Sequence, residues 1–579
     1  MARIKSTDRA TLDWTDKLYG EAKSWKDELK LPAKWREYRR IRNGQGNWPL
    51  SRPPAIEADL IGNYLDRKIS AITESRPETF VTSRRKDYGA PAKILGDTQA
   101  ALWQHLRVMA KNATAAETCG VTGCVGYLTE WNPAALDGRG DIEIRVLPPE
   151  SIFLSPDITA TEDLQEGSCV GWEEYVALDD LIDRFPGRGG LVEPDEGQSF
   201  YQTLQTPSPG RRIRSPALPS GGLAPRKVGV IPMARVKTFY VKDWSRDSTG
   251  TRLYPHRRRI IRGGNIILSD GPSPYWDGQV PLDLWNWYKR SGSPWGEGDI
   301  ARLRKLAEAF NRLGDLMMRN AIANNNIWIV GDNDALGPKE WEKLDNLEAL
   351  VVKKRFGREL RRDPPPNMPP YYFQLLSFIP QIMETLIGLM DVAPGARRTA
   401  SQSLGALEGY QQSSLAIVRN TARNLEDTIR GVGQKLLSRI VQYYTSNRVF
   451  GIVGPSQEFQ QYVFERAKLL KDDRGKQIMA TNQEEGRQFL SEFSYEIVPN
   501  SGLVMSRIQR SLIMKELKQG GLVTGLAVLK SLGPELIPDA DNEYERAQQE
   551  MKAMAEMGIL PNQRRTKSNA KGTQMGLGN

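Results

Sequence analysis

Two long helical patterns with narrow apolar stripes limit the architectures open to this chain. Residues 294–332 read PWGEGDIARLRKLAEAFNRLGDLMMRNAIANNNIWIVGD. Leu303, Leu306, Phe310, Leu313 and Met317 step by three and four, so they share one stripe of a helix, while Arg302, Arg304, Lys305, Arg312 and Arg319 outnumber Glu308 and Asp315 on the rest. The second pattern runs from Leu404 to Tyr444 with the stripe Leu415, Val418, Ala422, Leu425, Ile429, Val432, Leu436, Ile440 and Tyr443. At a rise of 1.5 Å per residue it is roughly 60 Å long, and Gly431 and Gly433 mark where a bend is expected. Such stripes suit seam packing against other helices better than burial in one broad core.

At 579 residues the chain exceeds what a single core organises, so two to four lobes are expected. Apolar residues at 39% and charged residues at 26%, with mean hydropathy of -0.51, describe a core-forming globular protein. Uncharged runs such as FQLLSFIPQIM fall short of the roughly 20 residues that cross a bilayer. The start, MARIKSTDRATLDW, lacks the apolar region of a secretory signal, so the protein is expected to work where it is made. Net charge is +10, unevenly placed: from Arg211 to Arg262 fourteen Lys or Arg face two acids.

Between the ends the periods alternate. Trp14, Leu18, Trp25 and Leu29 give a helix that breaks at Pro32; Leu60, Ile61, Tyr64, Leu65, Ile69 and Ile72 give another, leading into a RPETF strand. One helix is expected from Leu95 to Val121, then a hairpin of CVGYLTEW and DIEIRVLP across the turn NPAALDGRG, a strand in GSCVGWEEYV and a short helix ALDDLIDRF. Residues 187–225, rich in Gly, Pro and Ser, read as a surface insertion, and KVGVIPMARVKTFYVKDW with RRRIIRGGNIIL alternates like a sheet. After the first seam helix come a strand IWIVG, a helix start at Pro338, a strand LEALVVKK, a basic segment and the apolar helix YYFQLLSFIPQIMETLIGLM. A strand FSYEIVPN, a helical hairpin over 505–532, a charged helix EYERAQQEMKAMAEMG and a basic tail close the chain.

The groups of nucleic-acid chemistry are hard to find. No GxxxxGK[ST] phosphate loop occurs. Cys119, Cys124 and Cys169, with only His105 and His256 to join them, do not make a zinc spacing and read as buried thiols. Either histidine lacks the partners of a nucleophilic triad. Asp141, Glu143 and Arg145 faintly resemble a metal-nuclease strand with Arg where Lys is wanted, and read better as polar positions on a hairpin. Arg139, Gly140 and Asp141 spell an adhesion tripeptide but read as a tight turn.

The order of elements says more than any motif. The helix GNYLDRKISAI leading to RPETF, the helix closed by CGVTGCVGYL, IEIRVLPPESIFLSPD and CVGWEEYVALDDLIDRFPG, then SGSPWGEGDIARLRKLAEAFNRLGDLMMRNAIANNN, resemble in sequence the portal proteins of tailed bacteriophages, the head-to-tail connectors of double-stranded DNA phages. The resemblance spans about 40–550 and rests on colinearity. It implies an α+β, multi-lobe subunit of a cyclic ring. The expected divisions are a wing (1–297), a first stem helix (298–322), a clip (323–370), a second stem helix (371–391), a tunnel loop (392–404), the long helix and return to the wing (405–500) and a helical, crown-like C-terminal region (501–579).

It further implies a non-enzymatic virion protein without cofactor or metal, assembled in the host cytoplasm as a dodecamer at the capsid vertex. Its partners would be passing double-stranded DNA, the terminase motor, capsid and scaffolding proteins, and tail or adaptor proteins, with no membrane. Leu303, Leu306, Phe310, Leu313 and Met317 would form the stem seam. Arg397 and Arg398 would face the bore, and Lys353, Lys354, Arg355, Arg358, Arg361 and Arg362 would lie where the motor and then the tail dock. A DNA-binding enzyme of the nuclease or integrase class, and a virion adaptor without a channel, remain the alternatives.

Overall fold

The computed structural model describes residues 6–44, 58–73, 77, 79–194, 232–325, 369–388, 404–453, 459–478, 480, 482–497, 525–532 and 543–549. The chain divides into two units, one of residues 1–450 with 461–503 and one of residues 451–460 with 504–579.

The larger unit opens with α1 (Ser6–Glu28) and α2 (Leu31–Arg42). Pro32, expected only to break a helix, sits in the first turn of α2, where a missing N–H costs nothing, and the break falls on Lys30 at φ 54°. Next come α3 (Leu60–Thr73), β1 (Thr79–Ser83), α4 (Gly89–His105) and α5 (Val108–Thr122). The single helix expected over 95–121 is thus two, because Arg107 adopts a left-handed conformation at φ 50° and turns the chain between them.

Strands β2 (Cys124–Asn132) and β3 (Asp141–Leu147) form the expected hairpin, and β9 (Leu282–Asn286) joins it in the order β3-β2-β9. The first six residues of β2 are all buried, because α5 and a long helix described below pack against this strand. Strands β4 (Ile152–Leu154), β5 (Cys169–Ala177), β6 (Met233–Val241), β7 (Arg258–Gly263) and β8 (Ile266–Pro272) form a second antiparallel sheet in chain order, with α6 (Leu178–Arg184) after β5. Leu12, Leu18, Tyr19 and Ala22 of α1 cover Phe153, Cys169, Phe239, Ile260 and Ile267 of that sheet.

Three arginines at the end of the basic run are spent here. Arg258 bonds Asp243 at 2.9 Å and Asp270 at 2.6 Å, Arg262 bonds Thr15 at 2.8 Å and Asp16, and Arg257 reaches the Gln165 carbonyl. These arginines staple β7 to α1 and its neighbours. Lys26, buried, donates to the carbonyls of Pro149 and Ile152 and lies 4.8 Å from the Trp295 ring; burial pushes its pKa down to about 8.

The rest of the unit holds β10 (Tyr288–Arg290), β11 (Ser293–Glu297), α7 (Asp299–Asn325), α8 (Tyr371–Ile387) and α9 (Leu404–Tyr443). Then follow β12 (Arg448–Val453), β13 (Phe459–Phe464), α10 (Arg466–Leu469), α11 (Gln483–Ser491) and β14 (Phe493–Ile497). Strand β14 pairs antiparallel with β1, Phe80 opposite Glu496. In the smaller unit α12 (Gly525–Leu532) is helical, within the hairpin expected there. The expected strands IWIVG and LEALVVKK and most of the 187–225 insertion lie outside the described residues, though Val192 at its start is buried beside Leu181 and Leu268.

Candidate functional site: the paired helices and their anchors

Helix α7 starts from a buried polar knot. Asp299, fully buried, accepts hydrogen bonds from Trp287 Nε1 at 2.8 Å, Tyr288 OH at 2.7 Å and Lys68 Nζ at 3.2 Å. Lys68 also donates to Tyr288 OH at 2.6 Å, and its ammonium lies 5.0 Å from the Trp287 ring. Burial lowers the Lys68 pKa, and the Asp299 carboxylate opposes that shift. A carboxylate in the first turn is also favoured by the helix dipole. This knot joins α3, β10 and the N-terminus of α7, so it anchors the start of α7.

Of the seam residues expected on α7, Leu303 and Leu313 are buried and Leu306, Phe310 and Met317 are half-buried within the single chain. Helices α3 and α5 pack near the start of α7, and α8 runs beside it. Arg304 pairs with Glu37 and Arg319 with Asp315 at 2.8 Å, whereas Lys305 and Arg312 are exposed.

Helix α8 carries what the sequence reading passed over. It has apolar residues on two adjacent stripes. Ile379, Met383 and Ile387, four apart, are buried in the chain. Tyr371, Leu375, Phe378, Ile382 and Leu386, spaced four, three, four and four, form the second stripe, and Tyr371, Phe378, Leu375 and Leu386 are 56%, 55%, 43% and 40% exposed. Leu316 and Met318 of α7 are exposed as well. Gln374, Ser377, Gln381 and Thr385 take the remaining face, so the apolar surface is wider than one stripe against the chain requires. Among the described residues only the first stripe is covered.

The long helix α9 is held by polar groups at helical spacing. Asn424 donates to the Asn286 carbonyl at 3.2 Å, Thr428 to the Leu284 carbonyl at 3.1 Å, Gln442 to the Pro274 carbonyl at 2.7 Å, and buried Lys435 and Arg439 bond Asp283 and Asp277. Burial raises the Asp283 pKa against the pull of Lys435. Gly431 and Gly433, expected to bend the helix, sit where Asp283 and the Tyr495 ring approach; a Cβ would meet them at 2.5 and 2.1 Å. The apolar stripe from Val418 to Ile440 is buried as expected, and Tyr443 stacks on Trp131 at 4.7 Å.

At the end of α9, Asp141 gathers three elements. It accepts from Tyr444 OH at 2.7 Å and its own strand's Ile142 N–H at 2.8 Å, and His105 Nε2 lies 3.0 Å away. Arg448 stacks over Tyr444 at 4.1 Å and donates to the Gly140 carbonyl at 3.0 Å. Burial would raise the Asp141 pKa, but the bonds from His105, Tyr444 and Ile142 hold it below the usual range; the same bond raises that of His105. The tripeptide at 139–141 is thus a structural turn: Gly140 has φ +70° and a Cβ there would meet the Trp131 ring at 2.2 Å. The oxygens of Asp141 that a nuclease site would need are engaged in this clasp.

The three cysteines are buried thiols, and burial pushes Cys124 and Cys169 up to about 12. Among the described residues no group of three His, Cys, Asp or Glu could hold a metal, and no helix is long and apolar enough to cross a membrane. Arg397, Arg398, Lys353, Lys354, Arg355, Arg358, Arg361 and Arg362 lie outside the described residues.

A mixed α+β unit holds two adjacent helices, one with an apolar stripe largely exposed among the described residues, beside a third helix of 40 residues, the composition of a subunit that can associate through helices. Comparison of the sequence with known families carries this to an identity. The chain belongs to the family described as Phage P22-like portal protein, whose match spans residues 17–503. That is a family of structural rather than catalytic proteins, and membership implies an oligomeric ring with capsid and packaging partners at the virion capsid vertex. No curated protein matches the chain.

Proposed function

We propose that this chain is the subunit of a portal ring through which double-stranded DNA enters and leaves the capsid. The observation that carries the reading is the stripe Tyr371, Leu375, Phe378, Ile382 and Leu386 on α8, exposed but for half-buried Ile382, on the helix that packs beside α7. In a closed ring each subunit presents two different faces, so a neighbour's helices cover what one subunit leaves open. On this reading α7 and α8 are the stem, residues 323–370 the clip, 392–404 the tunnel loop, the sheets before α7 the wing, and 501–579 a crown-like region.

Arg397 and Arg398 then face the bore and touch phosphates in a sequence-independent way; too many such contacts would hold the DNA fast, so a sparse lining suits movement. Lys353, Lys354, Arg355, Arg358, Arg361 and Arg362 serve the clip, where the terminase motor docks during packaging and the tail or its adaptors afterwards. Scaffolding and capsid proteins meet the wing as the ring is built into the shell in the host cytoplasm. The ring number proposed is twelve. Mass measurement tests this directly: a dodecamer of 65.1 kDa chains weighs about 0.8 MDa, and a particle that stays monomeric to tetrameric at micromolar concentration refutes the ring.

A further inference from the structure

A cavity of about 190 Å³ lies between the short 3₁₀ helix Glu162–Gln165, β9 and α9, and the portal reading gives it no task. Its lining holds more hydrogen-bond acceptors than donors. Asn286, 2% exposed, donates its Nδ2 to Thr161 Oγ1 at 2.8 Å and to the Pro294 carbonyl at 3.0 Å, which fixes the orientation of the amide and leaves Oδ1 buried without a partner. Asp283 accepts from Lys435 at one carboxylate oxygen, and the other, Oδ2, is buried and also without a partner. Burial raises the Asp283 pKa although Lys435 opposes the shift, as expected of a carboxylate short of donors. Asn424 spends its Nδ2 on the Asn286 carbonyl at 3.2 Å, so its own side-chain carbonyl is a third acceptor. The donors on the lining are largely spent on the protein. Lys289 bonds Glu162, the Gln165 amide bonds the Val280 carbonyl at 3.3 Å, and the Thr428 hydroxyl bonds the Leu284 carbonyl at 3.1 Å.

Hydrogen bonding therefore selects what such a lining takes: a group that donates and brings no acceptor of its own. A hydroxyl, an amide or a water carries lone pairs that would face the same oxygens, whereas a primary ammonium has three N–H donors and no acceptor. Three donors match the three acceptors, and the bond to a carboxylate is charge-assisted. Net charge does not make the choice. Glu162, Asp283 and Asp427 are met by Lys289, Lys435 and Arg430, and one step further out Glu496 and Arg423 add one charge of each sign. The entering charge is met locally instead, by the uncommitted oxygen of Asp283 and by Asp427, which lies 3.8 Å from Arg430, too far for a hydrogen bond. A divalent metal is less well served, since among the described residues no group of three His, Cys, Asp or Glu could hold one.

We propose that this cavity binds a primary ammonium group, supplied either by a lysine of a second copy of the chain or by a free amine. The inference goes beyond the portal reading and does not depend on it. Saturation-transfer NMR on the purified full chain tests it with three probes. Butylammonium should bind about tenfold more tightly than butanol, which brings an acceptor, and than tetramethylammonium, which keeps the charge but has no N–H. Asp283→Asn keeps the shape and turns an acceptor into a donor, so butylammonium should bind about tenfold more weakly; exposed Asp427→Asn should cost about threefold. Should circular dichroism show Asp283→Asn unfolded, Asp427→Asn and the ranking of the probes decide. Equal binding of butanol or tetramethylammonium, no binding of any probe, or full butylammonium binding by either folded variant overturns the proposal. Native mass spectrometry separates the two sources. Butylammonium that breaks oligomers into smaller ones has displaced a lysine of a second copy, and butylammonium that adds its mass to unchanged oligomers has taken the place of a free amine; both results support the site.

Discussion

Replacing Leu375 and Phe378 together by Ser should dissolve the ring while leaving the subunit folded. Burying a Leu or Phe side chain completely is worth about 1.5–3 kcal/mol. In the single chain Leu375 keeps 43% and Phe378 55% of its surface in water, so each has roughly half of that still to gain from a neighbour, about 1 kcal/mol apiece. Losing both removes about 2 kcal/mol from every seam, a factor of roughly 30 in each pairwise constant. Because all seams of a closed ring carry the change, the ring should give way to small oligomers at concentrations where the unaltered protein is assembled. Exposed positions change chain stability by only about 0.5 kcal/mol, so urea unfolding of the isolated subunit should hardly move. Native mass spectrometry across a dilution series reads the first effect and a urea titration the second. An unchanged ring population in the double variant would refute the reasoning, for it would show that nothing covers this stripe on assembly.

Other consequences follow from the anchors. Asp299→Ala leaves Lys68 charged and buried without its partner, a loss of about 3–5 kcal/mol measurable by urea unfolding, whereas a neutral outcome would mean that the knot does not hold α7. The clasp at Asp141 should be pH-dependent on both sides. His105, raised by its bond to Asp141, adds stability that is full below the ordinary histidine value near 6.5 and is lost as pH rises through the raised folded value. Asp141, lowered, adds stability that is present above the ordinary aspartate value near 3.9 and is lost as pH falls through the lowered one. Since His105 is partly solvent-exposed, its share is about 0.2–1 kcal/mol, and thermal melts of His105→Gln should show a flatter profile above pH 6.5. Finally, Arg397→Ala with Arg398→Ala should leave ring mass intact and reduce the salt-sensitive retention of packaged DNA; weaker rings with normal DNA content per particle would place these residues at an interface instead.

Local periodicity was enough to read the hairpin β2–β3, the strands of the second sheet, and the helices α7, α8 and α9 nearly to their ends, because period and turn chemistry are properties of neighbouring residues. The colinear series of those elements also pointed to the family that the match over 17–503 shows. Where the reading erred, at Pro32 and in the helix over 95–121, one residue in a left-handed conformation decided the break, and Lys30 and Arg107 carry no signal for it. Long-range placement was out of reach for a different reason. That β1 pairs with β14, that Asp299 receives Lys68, that Gly433 makes room for Tyr495, and that Arg258 and Arg262 of β7 are stapled to α1 rather than displayed, all join residues far apart in the chain. The sequence alone determined which faces are apolar. Only the tertiary structure decided which of them are covered, because burial depends on what packs opposite, and on α8 one apolar stripe stays largely exposed among the described residues.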